Sequence, residues 1–209
     1  MHLRNLWLSL NLFRTVPSIL ALWLSPNKQL IKSDISRWLE LLRIKNLNYP
    51  TWIYLHILMT NKPAFRNLFY NRIKQNYLLA KISEILHPKL PTLSILTKSP
   101  SIGTCLYIEH GFGTMIMAKE IGKNCTVFHQ VTIGYEKGKC PTLGDNVRIF
   151  TGAIVIGGIK LGNNCTVGAN SVVTKDVPEN CTVAGVPARI IKRKESQLLN
   201  ESVPGDEAS

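Results

Sequence analysis

Residues 121–190 read IGKNCTVFHQVTIGYEKGKCPTLGDNVRIFTGAIVIGGIKLGNNCTVGANSVVTKDVPENCTVAGVPARI, and an aliphatic residue recurs there with a period of six. The first positions of these hexads are Ile121, Val127, Ile133, Leu143, Ile149, Val155, Leu161, Val167, Val173 and Val183. A helix cannot keep this register, because six is not a multiple of 3.6. A short strand and a turn, repeated with the aliphatic residue inward, stack into a parallel β-helix. The pattern therefore predicts a solenoid of hexapeptide repeats.

Two ten-residue steps interrupt this period, and we expect each to hold four extra residues that protrude at a corner of the solenoid. The first protrusion is expected at residues 136–140 and the second at 176–180. Extended backwards, the period predicts further first positions at Ile102, Ile108 and Met115.

Helical periodicity characterises the chain before the repeats. Apolar residues follow helix spacing from Ile35 to Leu42, from Trp52 to Leu58 and from Phe65 to Ile85, and Ser33 suits the N-cap of the first run. The predicted fold class is thus mainly β, a parallel β-helix preceded by an α-helical N-terminal region. We divide the chain into four parts: an apolar, basic segment (1–32), a helical region with its linker (33–100), the β-helix (101–194) and a charged tail expected to be disordered (195–209).

The positive charge of the chain is concentrated in its first half. Lys and Arg number 25 and Asp and Glu 13, and fourteen of the basic but only three of the acidic residues precede position 101. This asymmetry favours an anionic partner such as a lipid surface or an acidic polymer. Nucleic acid is not expected, because the sequence has no zinc spacing and no RNA-binding signature.

The apolar N-terminal segment contains Trp7, Phe13 and Trp23 but is interrupted by Arg14 and Pro17. It is therefore too short for a bilayer span, and it lacks a convincing signal-peptide cleavage site. Two interpretations stay open: the segment packs on its own domain or a neighbouring subunit, or it lies in a membrane interface. We expect a cytoplasmic protein, peripheral to the membrane in the second case.

The five cysteines do not form the pattern of a disulfide framework or a metal site. Cys125 and Cys165 occupy the fifth place of a hexad, where a small inward residue is needed, so we expect packed core thiols. No CxxC pair or Cys/His cluster occurs, and no metal is expected. Cys140 has two interpretations: it shapes an acceptor pocket, or it is a nucleophile activated by neighbouring lysines.

Two histidines, His110 and His129, fall within the repeats on the same face of adjacent coils, about 4.8 Å apart along the axis. A neutral imidazole can take a proton from a hydroxyl near pH 7. Glu109 could orient His110 or bind substrate, although neighbours on a strand point to opposite sides unless a turn intervenes. The candidate catalytic residues are therefore His110, Glu109 and His129.

The segments IGKNCTVFHQVTIG and AGVPARI resemble the left-handed β-helix acyltransferases, over roughly residues 101–194, and EHGFGT resembles the catalytic-base motif of serine O-acetyltransferases. This resemblance implies acetyl-CoA as acyl donor, direct transfer without a covalent enzyme intermediate, and a homotrimer or dimer of trimers with sites between subunits. It also implies that the coenzyme contacts Thr151, Gly152 and Ala169, with Arg189 and Lys192 near its phosphates.

Two departures from serine O-acetyltransferases bear on the acceptor. The place of the carboxylate that pairs with the catalytic histidine falls near Ile95, and Cys140 stands in the first protruding loop where that family has a second histidine. The Cys-Pro pair resembles acetyltransferases of polysaccharide clusters. The first hypothesis is thus an O-acetyltransferase acting on a saccharide of capsule, lipopolysaccharide or exopolysaccharide synthesis. The alternatives are serine O-acetyltransferase and a non-catalytic β-helix scaffold.

Overall fold

The computed structural model describes residues 11–44 and 48–193, so the expectations for Trp7 and for the tail 195–209 lie outside the described residues. Within these described residues, five helices precede the strands: α1 (Leu12–Leu24), α2 (Lys28–Leu41), α3 (Thr51–Asn61), α4 (Pro63–Arg72) and α5 (Tyr77–Leu86). The third apolar run therefore forms two helices, separated by residues 73–76.

The remaining described elements are a 3₁₀ helix (Ser99–Ser101) and fourteen short strands, joined by turns and loops. The strands are β1 (Leu93–Ile95), β2 (Tyr107–Ile108), β3 (Thr114–Ile116), β4 (Glu120–Ile121), β5 (Thr126–Val127), β6 (Thr132–Gly134), β7 (Thr142–Leu143), β8 (Arg148–Ile149), β9 (Ile154–Ile156), β10 (Lys160–Leu161), β11 (Thr166–Val167), β12 (Val172–Val173), β13 (Cys181–Ala184) and β14 (Arg189–Arg193).

Three sheets form the walls of the solenoid. The five-stranded wall has the order β1-β3-β6-β9-β12, the three-stranded wall β10-β7-β4, and the six-stranded wall β14-β13-β11-β8-β5-β2. All pairs are parallel except β13 with β14. Inward residues such as Val127, Ile133 and Leu161 are fully buried, so apolar burial along the axis stabilises the coils. The parallel β-helix of hexapeptide repeats, preceded by helices, is confirmed.

The first predicted protrusion is confirmed. Val127 pairs with Ile149, 22 positions later instead of the 18 of three hexads, because a loop is inserted between β6 and β7. In this loop Glu136 and Lys139 form an antiparallel bridge, with backbone N–H···O distances of 3.0 Å in both directions.

The second predicted protrusion, at residues 176–180, is wrong. Val177 bridges Leu161 and so continues the three-stranded wall. Val167 accordingly pairs with Val183, only 16 positions later. The last coil is therefore two residues shorter than three hexads, and the segment is wall rather than insertion.

Two further local expectations are wrong. Ile116, not Met115, pairs with the inward Ile133, so this one first position is displaced by one residue. Ile102 and Ile108 pair with Ile121 and Val127, as predicted. Ser33 lies in the interior of α2, where its hydroxyl donates to the Gln29 carbonyl (3.1 Å), so it does not cap the helix.

A buried ion pair joins the helical region to the first coil of the β-helix. Arg72 of α4 donates to Asp34 of α2 (Nε–Oδ2 2.9 Å), and the two side chains are 0% and 2% exposed. Arg72 also donates to the carbonyls of Ser99, Ile102 and Gly103. Helix α2 runs across the predicted boundary between residues 32 and 33, and β1 lies before the predicted boundary between residues 100 and 101. The four-part division of the chain stays a prediction.

Candidate active site

The predicted site residues lie along one edge of the solenoid, where the chain turns from the six-stranded to the five-stranded wall. The strand registers place the turns of His110, His129, Thr151 and Ala169 in successive coils at this edge. Backbone hydrogen bonds link these turns, from Gly152 N–H to the His129 carbonyl (3.2 Å) and onward along the edge. We call this row of turns the active-site edge.

The two histidines are neighbours, as their spacing predicts. Their ring centroids lie 5.7 Å apart, with the planes inclined by 64°. Phe112 covers the His129 ring in a stacked arrangement, at 4.5 Å between centroids and 24° between planes. The His110 side chain is 63% exposed and open to a substrate, whereas Nδ1 of His129 is buried with no hydrogen-bond partner among the described residues.

A tight turn brings Glu109 and His110 together although they are adjacent in sequence. His110 has φ +61°, and the Gly111 N–H donates to the Glu109 carbonyl at 2.7 Å, which closes a three-residue turn. Oε1 of Glu109 consequently lies 3.2 Å from Nε2 of His110. A non-glycine residue with positive φ at the centre of such a turn is strained, and this kind of strain concentrates at functional sites.

Tyr107 lies next to Glu109, and the sequence analysis did not identify Tyr107 as part of the site. Burial and the neighbouring Glu109 carboxylate raise the pKa of Tyr107, so its hydroxyl is neutral and can donate to that carboxylate. The Tyr107 ring packs edge-on against Trp38 of α2 at 4.7 Å, and the Trp38 indole donates to the Leu106 carbonyl (2.9 Å). A continuous row of contacts thus connects the helical region with His110.

The turns predicted to contact the coenzyme have little room at their backbone. Gly152 has φ +72°, and a Cβ there would collide with the Asn170 side chain. Thr151 is half-buried and Ala169 exposed, so the edge offers a surface of small residues next to the histidines. A narrow acyl-carrying arm can lie along such a surface, and these residues therefore fit the expected donor.

The two predicted phosphate-binding residues lie on the last strand. Arg189 pairs with Ala184 and Lys192 with Thr182 on β13, and both basic residues are exposed. Val167 pairs with Val183, and Ala184 follows Val183 directly. Arg189, the partner of Ala184, therefore lies near the far end of the active-site edge.

Cys140 and Ile95 are not brought to His110. Cys140 follows β6 in the loop to the three-stranded wall, which is a different edge of the solenoid. Ile95 ends β1 and pairs with Ile116, so the carboxylate in contact with His110 is Glu109. All five cysteines are free, and the described residues contain no cluster of three metal-ligating side chains.

Comparison with known proteins identifies the family of this chain. The bacterial transferase hexapeptide family (six repeats) matches residues 140–175. A serine acetyltransferase of Bacillus pumilus is 40% identical over 163 residues, which are 74% of this chain and 73% of the relative. The chain belongs to the serine acetyltransferase family. It is therefore an O-acetyltransferase with acetyl-CoA as its acyl donor.

Other members of the family agree over shorter or more distant matches. A Staphylococcus aureus serine acetyltransferase is 46% identical over 97 residues, which are 44% of this chain and 46% of that relative. A Neisseria gonorrhoeae serine acetyltransferase, solved in complex with serine, superposes with a TM-score of 0.57 at 27% identity, over 78% of this chain and 68% of that one. No helix among the described residues is long and apolar enough to span a membrane.

Proposed function

We propose that the chain is a serine O-acetyltransferase, which transfers the acetyl group of acetyl-CoA to the hydroxyl of L-serine. The observation that carries the proposal is the contact between Glu109 and the exposed His110 (3.2 Å), beside His129 and next to the small-residue turns. The names of the relatives support serine as acceptor. They favour this alternative over the saccharide expected from the Cys-Pro pair.

His110 acts as the general base in this reaction. Its neutral imidazole takes the proton of the acceptor hydroxyl while that oxygen forms a bond to the thioester carbonyl carbon. When the carbon–sulfur bond breaks, the imidazolium returns the proton to the departing sulfur. The products are the acetyl ester and the free thiol, His110 is neutral again, and no bond to the protein forms.

Glu109 is a positioning residue that acts through His110. Its carboxylate holds the imidazole ring by contact at Nε2 and stabilises the imidazolium that forms during transfer. It takes the place of the partner carboxylate expected near Ile95, and the Tyr107 hydroxyl keeps it in place. His129 and its covering ring, Phe112, form the wall beside the base.

The acyl donor lies along the active-site edge in this proposal. Thr151, Gly152 and Ala169 contact its narrow arm, and Arg189 and Lys192 pair with its phosphates. The exposure of His110 and of the edge is consistent with a homotrimer, in which a neighbouring β-helix closes the groove. The five free cysteines fit a reducing compartment, the cytoplasm.

The test is release of free thiol from acetyl-CoA with L-serine as sole acceptor. The wild-type protein should release thiol, and His110→Ala should lower kcat by about 10²–10⁴-fold, the usual contribution of a general base, with binding of acetyl-CoA unchanged. Cys140→Ser is the control and should keep most activity. Serine-dependent release at the wild-type rate in His110→Ala would overturn the assigned base.

A saccharide hydroxyl is the second candidate acceptor, and two observations favour it. Cys140 replaces a histidine of the protruding loop, and Ile95 stands where serine O-acetyltransferases have a carboxylate. Thiol release that requires a saccharide, is absent with L-serine and disappears in His110→Ala would assign this acceptor. Failure to bind acetyl-CoA would instead overturn both reactions and leave a non-catalytic scaffold.

A further inference from the structure

Helices α1 and α5 form an antiparallel pair on the outside of the helical region. At one end of the pair Arg14 donates to the Leu86 carbonyl, and at the other end Asn76 donates to the Ala21 carbonyl (3.3 Å). The pair is anchored to the protein through small buried residues, among them Ser18 and Ser83, which are 0% exposed.

The outer side of this pair is apolar. Nine large apolar side chains on the two helices are between 38% and 76% exposed: Phe13, Val16, Leu20, Trp23, Leu24, Tyr77, Leu78, Ile82 and Ile85. We call these nine residues the apolar face. Contiguous exposed apolar surface of this kind marks a site of interaction with a protein or a membrane. The remaining exposed large apolar residues of the described chain are spread over loops, other helices and walls.

Basic residues border the apolar face. Lys28 lies over the Trp23 ring (5.5 Å) and Lys81 over the Tyr77 ring (6.0 Å), at the same end of the antiparallel pair. Lys89 lies just beyond the other end of α5, where it binds Glu84 at 2.9 Å. Glu84 is the single acidic residue of the two helices, and it pairs with both Lys89 and Lys81, the latter at 4.0 Å.

We propose that the apolar face binds the surface of an anionic lipid bilayer, with α1 and α5 lying in the interface plane. Apolar side chains enter the headgroup region while lysines at the border meet lipid phosphates, as in other interfacial helices. Trp23 and Tyr77, each with an apolar body and a polar edge, suit this depth. Neither helix spans the membrane, which agrees with the 13 residues of α1 and the 10 of α5.

Charge favours a lipid surface over a second copy of the chain. A two-fold contact would bring the same patch onto itself. Lys28 and Lys81 of one copy would then meet either the same lysines of the other copy or the end that carries Lys89, according to the direction of the axis. Like charges meeting at an interface are unfavourable. An anionic bilayer instead offers the opposite charge to the whole border.

The test is flotation of the full-length protein with vesicles of phosphatidylcholine containing 30% phosphatidylglycerol, compared with phosphatidylcholine alone. Wild-type protein should float with the anionic vesicles and at least tenfold less with the neutral ones, since each basic residue near such a surface adds attraction. Trp23→Gln combined with Ile85→Gln should lower anionic binding by about tenfold or more. Both residues are over 70% exposed, so the fold should tolerate the change.

The matched control is Leu96→Gln, which replaces another exposed apolar residue, outside the two helices and 56% exposed. It should bind anionic vesicles like the wild type. Wild-type protein that stays at the bottom of the gradient would overturn the proposal, as would equal flotation of the double variant. A wild-type protein that does not float, and whose oligomer dissociates in the double variant, would assign the face to a second copy.

Discussion

At the scale of single residues, we expect the Tyr107 hydroxyl to hold Glu109 in position. The neutral Tyr107 hydroxyl can donate to Glu109, and Glu109 contacts His110. Tyr107→Phe keeps the ring on Trp38 but removes the donor. We expect kcat to fall about 3–15-fold. A hydrogen bond to a charged group contributes about 1.5–3 kcal/mol, and only part of this energy stabilises the transition state. The measurement is steady-state thiol release.

The kinetic parameters separate positioning from a structural effect. KM for acetyl-CoA should stay unchanged in Tyr107→Phe, because the turns proposed to bind the donor are other ones. Glu109→Asp should keep more activity than Glu109→Gln, since only the former retains a carboxylate. A Tyr107→Phe variant with wild-type kcat would contradict the role given to this residue.

The same residues show how far sequence could predict the site. His110 and His129 could be placed on adjacent coils because the hexad period fixes their register. Tyr107 could also have been found, since residues two apart on a strand share a face. Phe112 could not have been found, because its position over the His129 ring depends on an irregular turn. In this turn eight positions separate Ile108 from Ile116, whereas six separate their partners Val127 and Ile133.

At the scale of elements, the corners of the solenoid are fixed by one repeated asparagine. Asn124, Asn146, Asn164 and Asn180 occupy equivalent turns, each with φ between +56° and +59°. Asparagine tolerates this left-handed conformation better than most residues. The amides also form a ladder, in which Asn146 donates to Asn164 and Asn164 to Asn180, both at 2.9 Å.

This ladder also contained the signal that corrects the last coil. VPENC at 177–181 has the same pattern as LGNNC at 161–165, an aliphatic residue followed by asparagine at the fourth place and cysteine at the fifth. It could have identified Val177 as a first position. The ten-residue step between Val173 and Val183 concealed this position, because the turn before Val177 is two residues shorter than a hexad.

Asn164→Ala should destabilise the β-helix by about 2–5 kcal/mol. Alanine in a left-handed turn costs about 1–2 kcal/mol, and two amide hydrogen bonds are lost at about 0.5–1.5 kcal/mol each. Asn164→Gly loses the hydrogen bonds but tolerates the φ of +59°, so it should cost about half as much. Urea unfolding measures both values, and equal losses would show that the backbone conformation does not matter there.

At the scale of the whole molecule, the helical region and the β-helix are held together by polar contacts at their junction. The Asp34 carboxylate accepts from Arg72 and from the Cys105 N–H (2.8 Å). Trp38, one turn further along α2, reaches the Tyr107 ring. Release of α2 from the first coil would therefore remove the support behind Glu109.

Asp34→Ala should lower the free energy of unfolding by about 3–5 kcal/mol, because it leaves the Arg72 charge buried without its partner. Glu40→Ala in the same helix is the matched control: its pair with Arg37 is exposed (69% for the Glu40 side chain), so its loss should cost at most about 0.5 kcal/mol. Urea unfolding followed by Trp fluorescence and by thiol release should show both signals changing together in Asp34→Ala. A variant that loses stability but keeps full kcat when folded would show that the helices only support the solenoid, without a link to His110.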